Sequence, residues 1–117
     1  MKPMLKINLI ASDALTTAYG YLNIAEVTSV DVNADTVVIK SGASTLTATI
    51  DGTDAAEKLL NGNKLAAYLM TVMKKGYKDG AIIDAWDTAL TIAGVHTLTG
   101  MVRTGADNTA IVSIVIA

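Results

Sequence analysis

Cysteine and phenylalanine are absent from this chain of 117 residues, which holds one proline, one histidine and one tryptophan. Without cysteine there is no disulfide scaffold, no thiolate metal site and no cysteine nucleophile, although the redox compartment stays open. With His96 as the single histidine, a two-histidine metal site cannot be built within one chain. Charge is scarce as well: 17% of residues are charged, 9 basic against 11 acidic, giving a formal net charge of −2. That balance argues against a general nucleic-acid binder, whose electrostatic affinity needs clustered lysine and arginine. Long apolar runs are also missing. Lys2 and Lys6 are followed only by Ile7 to Ala11 before Ser12 and Asp13, too short a stretch for a secretory leader. The uncharged stretch from Thr88 to Val102 is broken by Thr91, Gly94, His96 and Gly100 and falls below the roughly 18 to 20 apolar residues of a spanning helix. The expectation is a soluble, unsecreted single domain over residues 1–117, with no linker and no membrane segment.

What the chain has instead is aliphatic. Apolar residues make up 51% and aromatics 4%, so the core must be built from Val, Ile, Leu, Ala and Met. Small and β-branched side chains suit a pleated surface, and the composition leans towards sheet. From Glu26 to Ile50, three β-rich segments separated by turn residues predict a three-stranded meander. Thr28, Val30 and Val32, then Val37 and Ile39, then Leu46, Ala48 and Ile50 fall on one apolar face. The opposite face carries Ser29, Asp31, Thr36, Lys40, Thr45, Thr47 and Thr49, with Val27 and Val38 as exceptions, and reads as facing solvent or a partner. The turns Asn33-Ala34-Asp35 and Ser41-Gly42-Ala43-Ser44 are short enough to force antiparallel neighbours.

Past Ile50 the pattern turns helical. Asp51-Gly52-Thr53 makes a turn, and Asp54 with Glu57 has capping-box spacing. Asn61-Gly62-Asn63 is a poor helix interior, the glycine alone costing about 1 kcal/mol, so a helix over residues 54–75 is either long or broken there. Leu65, Leu69, Val72 and Met73 recur at helical spacing and should cover the meander; Lys74 and Lys75 suit the last turn, with Gly76 as its cap. A first strand is expected over Met4 to Ile10. Residues 16–24 and 81–92 read equally as strand or helix. Val95 to Arg103 and Thr109 to Ile116 read as a hairpin. The run Ala110 to Ala117 is apolar on both faces, so it is either a central strand or one paired with another subunit.

Chemistry-bearing motifs are few. Asp31-x-Asn33-x-Asp35 imitates the opening of a calcium loop, but Thr36 stands where the sharp turn needs glycine and Gly42 where the bidentate glutamate belongs; it reads as a hairpin turn. No nucleophile elbow surrounds Ser12, Ser29, Ser41, Ser44 or Ser113, and His96 reads as a structural or rim residue. Asp79, Asp84 and Asp87 read as loop and cap residues. No metal, cofactor or catalytic set is expected, and an enzyme is the least supported class. Lys74, Lys75 and Lys78 with Tyr77 form a small basic patch, a candidate nucleic-acid contact that a helix C-terminus would also favour for its own reasons. Trp86, Tyr77 and the Tyr19-Gly20-Tyr21 pair are core plugs or interface anchors.

The segment from Ala25 through Asp31-Val-Asn-Ala-Asp35 to Gly42, followed by Thr45-Leu-Thr-Ala-Thr-Ile50 and a capped helix, resembles small uncharacterised proteins of marine bacteriophages, some of which look like Sm-type small β-barrels. The resemblance spans roughly Leu22 to Tyr77. It departs from Sm proteins in that their helix precedes the strands, and it brings no RNA-pocket residues. It implies a phage origin, a place in a virion or the host cytoplasm, and a non-enzymatic, oligomer-forming role. The expected architecture is α+β: a small antiparallel, strongly curved sheet or partly open barrel, Sm-like in outline, with the 54–75 helix packed on it. The first functional expectation is a virion structural or assembly protein that self-associates, with Trp86, Ile111, Val112, Ile114 and Ile116 at the interface between copies and other virion proteins as further partners. The alternative is a ring-forming nucleic-acid-binding module that uses Lys74, Lys75, Tyr77 and Lys78.

Overall fold

The computed structural model describes residues 3–11, 14–74, 82–84 and 111–117. Its described elements are β1 (Met4–Ala11), β2 (Ala14–Asn23), a 3-10 turn (Ile24–Glu26), β3 (Val27–Asn33), β4 (Thr36–Ser41), β5 (Ser44–Ile50), α1 (Ala55–Met73), β6 (Ile82–Asp84) and β7 (Ile111–Ile116). The class is α+β as expected. The first strand and the meander stand where the pattern puts them, and residues 16–24 resolve as the end of β2 plus the 3-10 turn. Within 81–92, Ile82–Asp84 is strand; the remainder, and the expected strand at 95–103, lie outside the described residues, as does Gly76.

The strands form one sheet in the order β2-β1-β7-β5-β4-β3, with β6 beside β1. One departure from an all-antiparallel sheet is the parallel pairing of Met4, Leu5 and Lys6 with Ile82, Ile83 and Asp84. The order also dictates the curvature. Strands β2 and β3 stand at its two ends, which in a flat sheet would lie about 24 Å apart at roughly 4.8 Å per step. Yet only Ile24–Glu26 separates them, and a link of that length reaches at most about 14 Å. The sheet therefore curls back on itself into a partly open barrel. The link continues both neighbouring ladders, the Ile24 amide donating to the Pro3 carbonyl at 3.0 Å beside β1 and the Gly42 amide to the Glu26 carbonyl at 3.2 Å beside β4. Across the seam between β4 and β2, the buried Ser41 hydroxyl donates to the carbonyl of Asn23.

Helix α1 begins as its capping box predicts. The Asp54 side chain accepts from the Glu57 amide at 2.8 Å, and Glu57 reaches back to the Thr53 amide at 3.0 Å. The helix runs unbroken through Asn61-Gly62-Asn63 because each residue has a compensating use. Asn61 is buried and its Nδ2 donates to the Asp51 carbonyl at 3.2 Å. A Cβ at Gly62 would stand 3.0 Å from Val32 Cγ1 and 3.5 Å from Val37 Cγ2, so the bare glycine lets helix and sheet approach closely. Asn63 donates to the Leu59 carbonyl at 3.0 Å. Leu65, Leu69, Val72 and Met73 are all buried, covering the inner faces of β3, β4 and β5.

Val37, Ile39, Leu46, Ala48 and Ile50 are buried as their alternation requires, and Val30 and Val32 pack against them. Thr28 does not join this face. A bulge between Val27 and Ser29 reverses the in–out phase, so that Val27 packs on the core and Thr28 is exposed. Strand β7 takes the central alternative. It pairs with β5 from Leu46↔Ile116 to Ile50↔Ile111, and with β1 at Ile10↔Ile114.

Both meander turns place their first loop residue in the left-handed region, Ala34 at φ 51° and Gly42 at φ 57°. Glycine suits that conformation and alanine does not. Ala34→Gly should therefore stabilise by about 0.5–1 kcal/mol, once the glycine's extra unfolded-state entropy is deducted. Gly42→Ala should do the reverse, its Cβ also meeting Glu26 Oε2 at 2.6 Å; urea denaturation of both variants reads the opposite signs. On β7, Ile114 is fully buried and Val115 half exposed. Ile114→Asp should cost more than about 4 kcal/mol, leaving the chain unfolded or insoluble, whereas Val115→Asp stays folded by far-UV circular dichroism. Two folded variants differing only in subunit number would contradict the central position of β7.

Candidate functional site

On the last strand, Ile111 and Ile114 are buried in the barrel, Ile116 packs on its core, and Val112 is half-buried beside a bulge. These four residues, expected at an interface between copies, therefore face or flank the chain's own core, with β5 along one edge of β7 and β1 meeting the other at Ile10↔Ile114. Trp86 lies outside the described residues. Of the basic patch, only Lys74 is described: it is exposed and caps α1, its amide bonding back to Met70 and Val72. Lys75, Tyr77 and Lys78 lie outside the described residues, as do His96, Ser12, Asp79 and Asp87.

Among the described residues no group of acidic or histidine side chains is arranged to hold a metal ion. Asp31 and Asn33 are exposed on β3 and Asp35 lies in the following turn, where its carbonyl accepts from the Ile50 amide at 2.6 Å. Thr36 closes the same turn through its hydroxyl, which donates to the Asn33 carbonyl at 3.0 Å. The hairpin reading of Asp31-x-Asn33-x-Asp35 accounts for each of these contacts. Ser41 is bound into the seam. No described helix is long and apolar enough to cross a membrane.

What the fold does assemble is an apolar cleft at the sheet's β3 end. Strand β3 ends the order, so among the described residues its ladder runs on one side only, to β4. Beside it opens a cleft of about 310 Å³ lined by Ile24, Ala25, Val27, Val30, Met70, Met73 and Lys74. The elements that place these side chains are the 3-10 turn, the bulged start of β3 and the last turns of α1. The bulge turns Val27 towards the cleft, and Met70 stands off the helix's buried stripe, 41% exposed. Lys74 brings a cation to one end, where a helix C-terminus favours it.

Periodicity does not reveal this cleft, for two reasons. Ile24 ends a stretch whose pattern fits strand and helix alike and Ala25 falls between it and the meander, while a bulge leaves no mark in a β-rich segment. Met70 did carry a signal: it is a large apolar residue outside the 65, 69, 72, 73 stripe. Leu59 and Leu60 share that property and are 43% and 54% exposed on the same helix.

Of the aromatics among the described residues, Tyr68 is half-buried against the core, and Tyr19 and Tyr21 lie at the surface. The buried core among the described residues contains no aromatic side chain, whereas Tyr19 and Tyr21 are nearly half exposed. Comparison with known proteins gives no counterpart: no family model, no curated protein and no solved structure matches the chain.

Proposed function

We propose that this chain is a non-enzymatic structural or assembly protein that works by self-association, in keeping with the phage-type role its resemblance implies, and that copies join at the β3 edge. The observation that carries the reading is the apolar cleft opening beside the end strand of the sheet. An incoming extended segment of a second copy gains main-chain hydrogen bonds from the alternate N–H and C=O groups on the outer side of β3, and the cleft receives its apolar side chains. Strand β3 has no proline or lysine to block such pairing, and its one exposed acid is Asp31. Met70 and Met73 give the cleft adaptable walls, because unbranched thioether side chains repack around different shapes. Such an assembly belongs in a virion or in the host cytoplasm where virions are built.

Light scattering after size exclusion, at two protein concentrations, tests this. The wild-type chain should form a discrete oligomer. Met70→Glu, at an exposed position the core does not need, should weaken association at least tenfold, about 1.4 kcal/mol, and lower the subunit number without loss of helix or sheet signal. Leu60→Glu, 54% exposed and outside the cleft, should leave the mass unchanged. A wild type monomeric throughout, or a Met70→Glu variant of unaltered mass, would sink the proposal.

A further inference from the structure

The β1–β2 hairpin carries a second surface, built on other strands than the cleft. Its register sets Lys6 opposite Tyr21 and Asn8 opposite Tyr19, so these four positions share the outer face of the barrel while Leu5, Ile7 and Leu22 point into the core. Tyr19 and Tyr21 are 46% and 48% exposed. The Lys6 ammonium stands over the Tyr19 ring, 4.2 Å from its centre, a cation–π contact that puts a positive charge on the aromatic face itself.

We propose that this face binds single-stranded nucleic acid, each tyrosine stacking one base and Lys6 swinging off the Tyr19 ring to meet a phosphate. Three observations select this ligand. First, two tyrosines two residues apart on a strand are spaced by about 6.8 Å, twice the roughly 3.4 Å rise per nucleotide of a stacked strand. Successive bases reach both rings only when unstacked, which a single strand permits and a duplex does not. Second, β1 and β2 contain no aspartate or glutamate; the acids of the described chain lie on the 3-10 turn, β3, the turns beside it and the start of α1, and on β6, where Asp84 stands in register beside Lys6. Third, base stacking needs no large positive field, so the site is compatible with a chain of net charge −2.

The mode predicts its own salt dependence. One lysine and one phosphate give a slope of log affinity against log salt near −0.7, far shallower than a lysine-driven site. Fluorescence anisotropy of a short labelled oligodeoxythymidylate, titrated with the full chain at low and moderate salt, measures both quantities. Tyr19→Ala and Tyr21→Ala should each weaken binding by about tenfold or more. Tyr19→Phe should bind within about twofold of wild type, because the ring face is retained. Lys6→Gln should flatten the salt slope towards zero. Far-UV circular dichroism and light scattering of the same samples report fold and subunit number. No anisotropy change with the wild type, equal affinity for a duplex of the same length, or folded alanine variants that bind like wild type would each overturn the proposal. So would a lower mass in the tyrosine variants without loss of fold, since that outcome makes the face a contact between copies.

Discussion

The pairing of β7 between β1 and β5 is the constraint on which the rest of the structure depends. Without it, the described strands separate into two units: the β1–β2 hairpin with β6, and the β3–β4–β5 meander with its helix. Ile111 and Ile114 insert into the core at that junction. The last residue of the strand region is tied in as well, the Thr45 amide donating to the Ala117 carbonyl at 2.8 Å and the Ala117 amide to that of Thr45 at 2.9 Å. The hairpin and the meander are each local in sequence, whereas β6 meets β1, and β7 meets β5 and β1, from some sixty to one hundred positions away, a loop-closure cost that slows folding. The curl of the sheet then follows: once β7 joins the halves, the three-residue link between β2 and β3 can be satisfied only by bending.

The core of the described residues, aliphatic apart from Met73, fits that bent geometry. Leu, Ile and Val side chains, branched at Cβ or Cγ, fill a narrow barrel without the long reach of an aromatic ring, and Gly62 removes a side chain where helix and sheet approach closely. Gly20 does similar service on β2, where a Cβ would stand 2.5 Å from Ile116 Cδ1. Tyrosines left on the outside are then available for recognition, where an amphipathic ring contributes contact area at small entropic cost. The described residues thus present two distinct surfaces with different chemistry: an apolar cleft beside the end strand, and an aromatic face with a cation over one ring.

Much of the architecture could be read in the sequence because period-2 and period-3.6 patterns do not depend on context. The meander's apolar face apart from Thr28, its short turns, the capping box at Asp54 and the Leu65, Leu69, Val72, Met73 stripe all follow from such local rules. Asn61-Gly62-Asn63 misled for a physical reason: propensity counts what a residue costs in an isolated helix, and here tertiary contacts repay it. The last strand shows the complementary limit. Its two apolar faces require a neighbour on each edge, but no local pattern says whether that neighbour comes from the same chain, and the parallel strand beside β1 is equally invisible to it. The cleft was illegible because it arises where a bulge, a 3-10 turn and a helix end meet, three features without periodicity.

The exposure of Tyr19 and Tyr21 above a core of aliphatic side chains has a consequence for how this protein can be watched. Their ring resonances, half in water, report on the hairpin surface and whatever lies against it, with little sensitivity to the packing of Leu46, Ile50, Leu65 and Ile114 beneath. A ligand on that surface and a loosening of the barrel therefore produce signals at different atoms, the first at the Tyr19 and Tyr21 rings and the second at the Tyr68 ring, which packs on the core, and at the interior methyl groups. Occupancy and integrity of the fold can be followed in one sample at the same time.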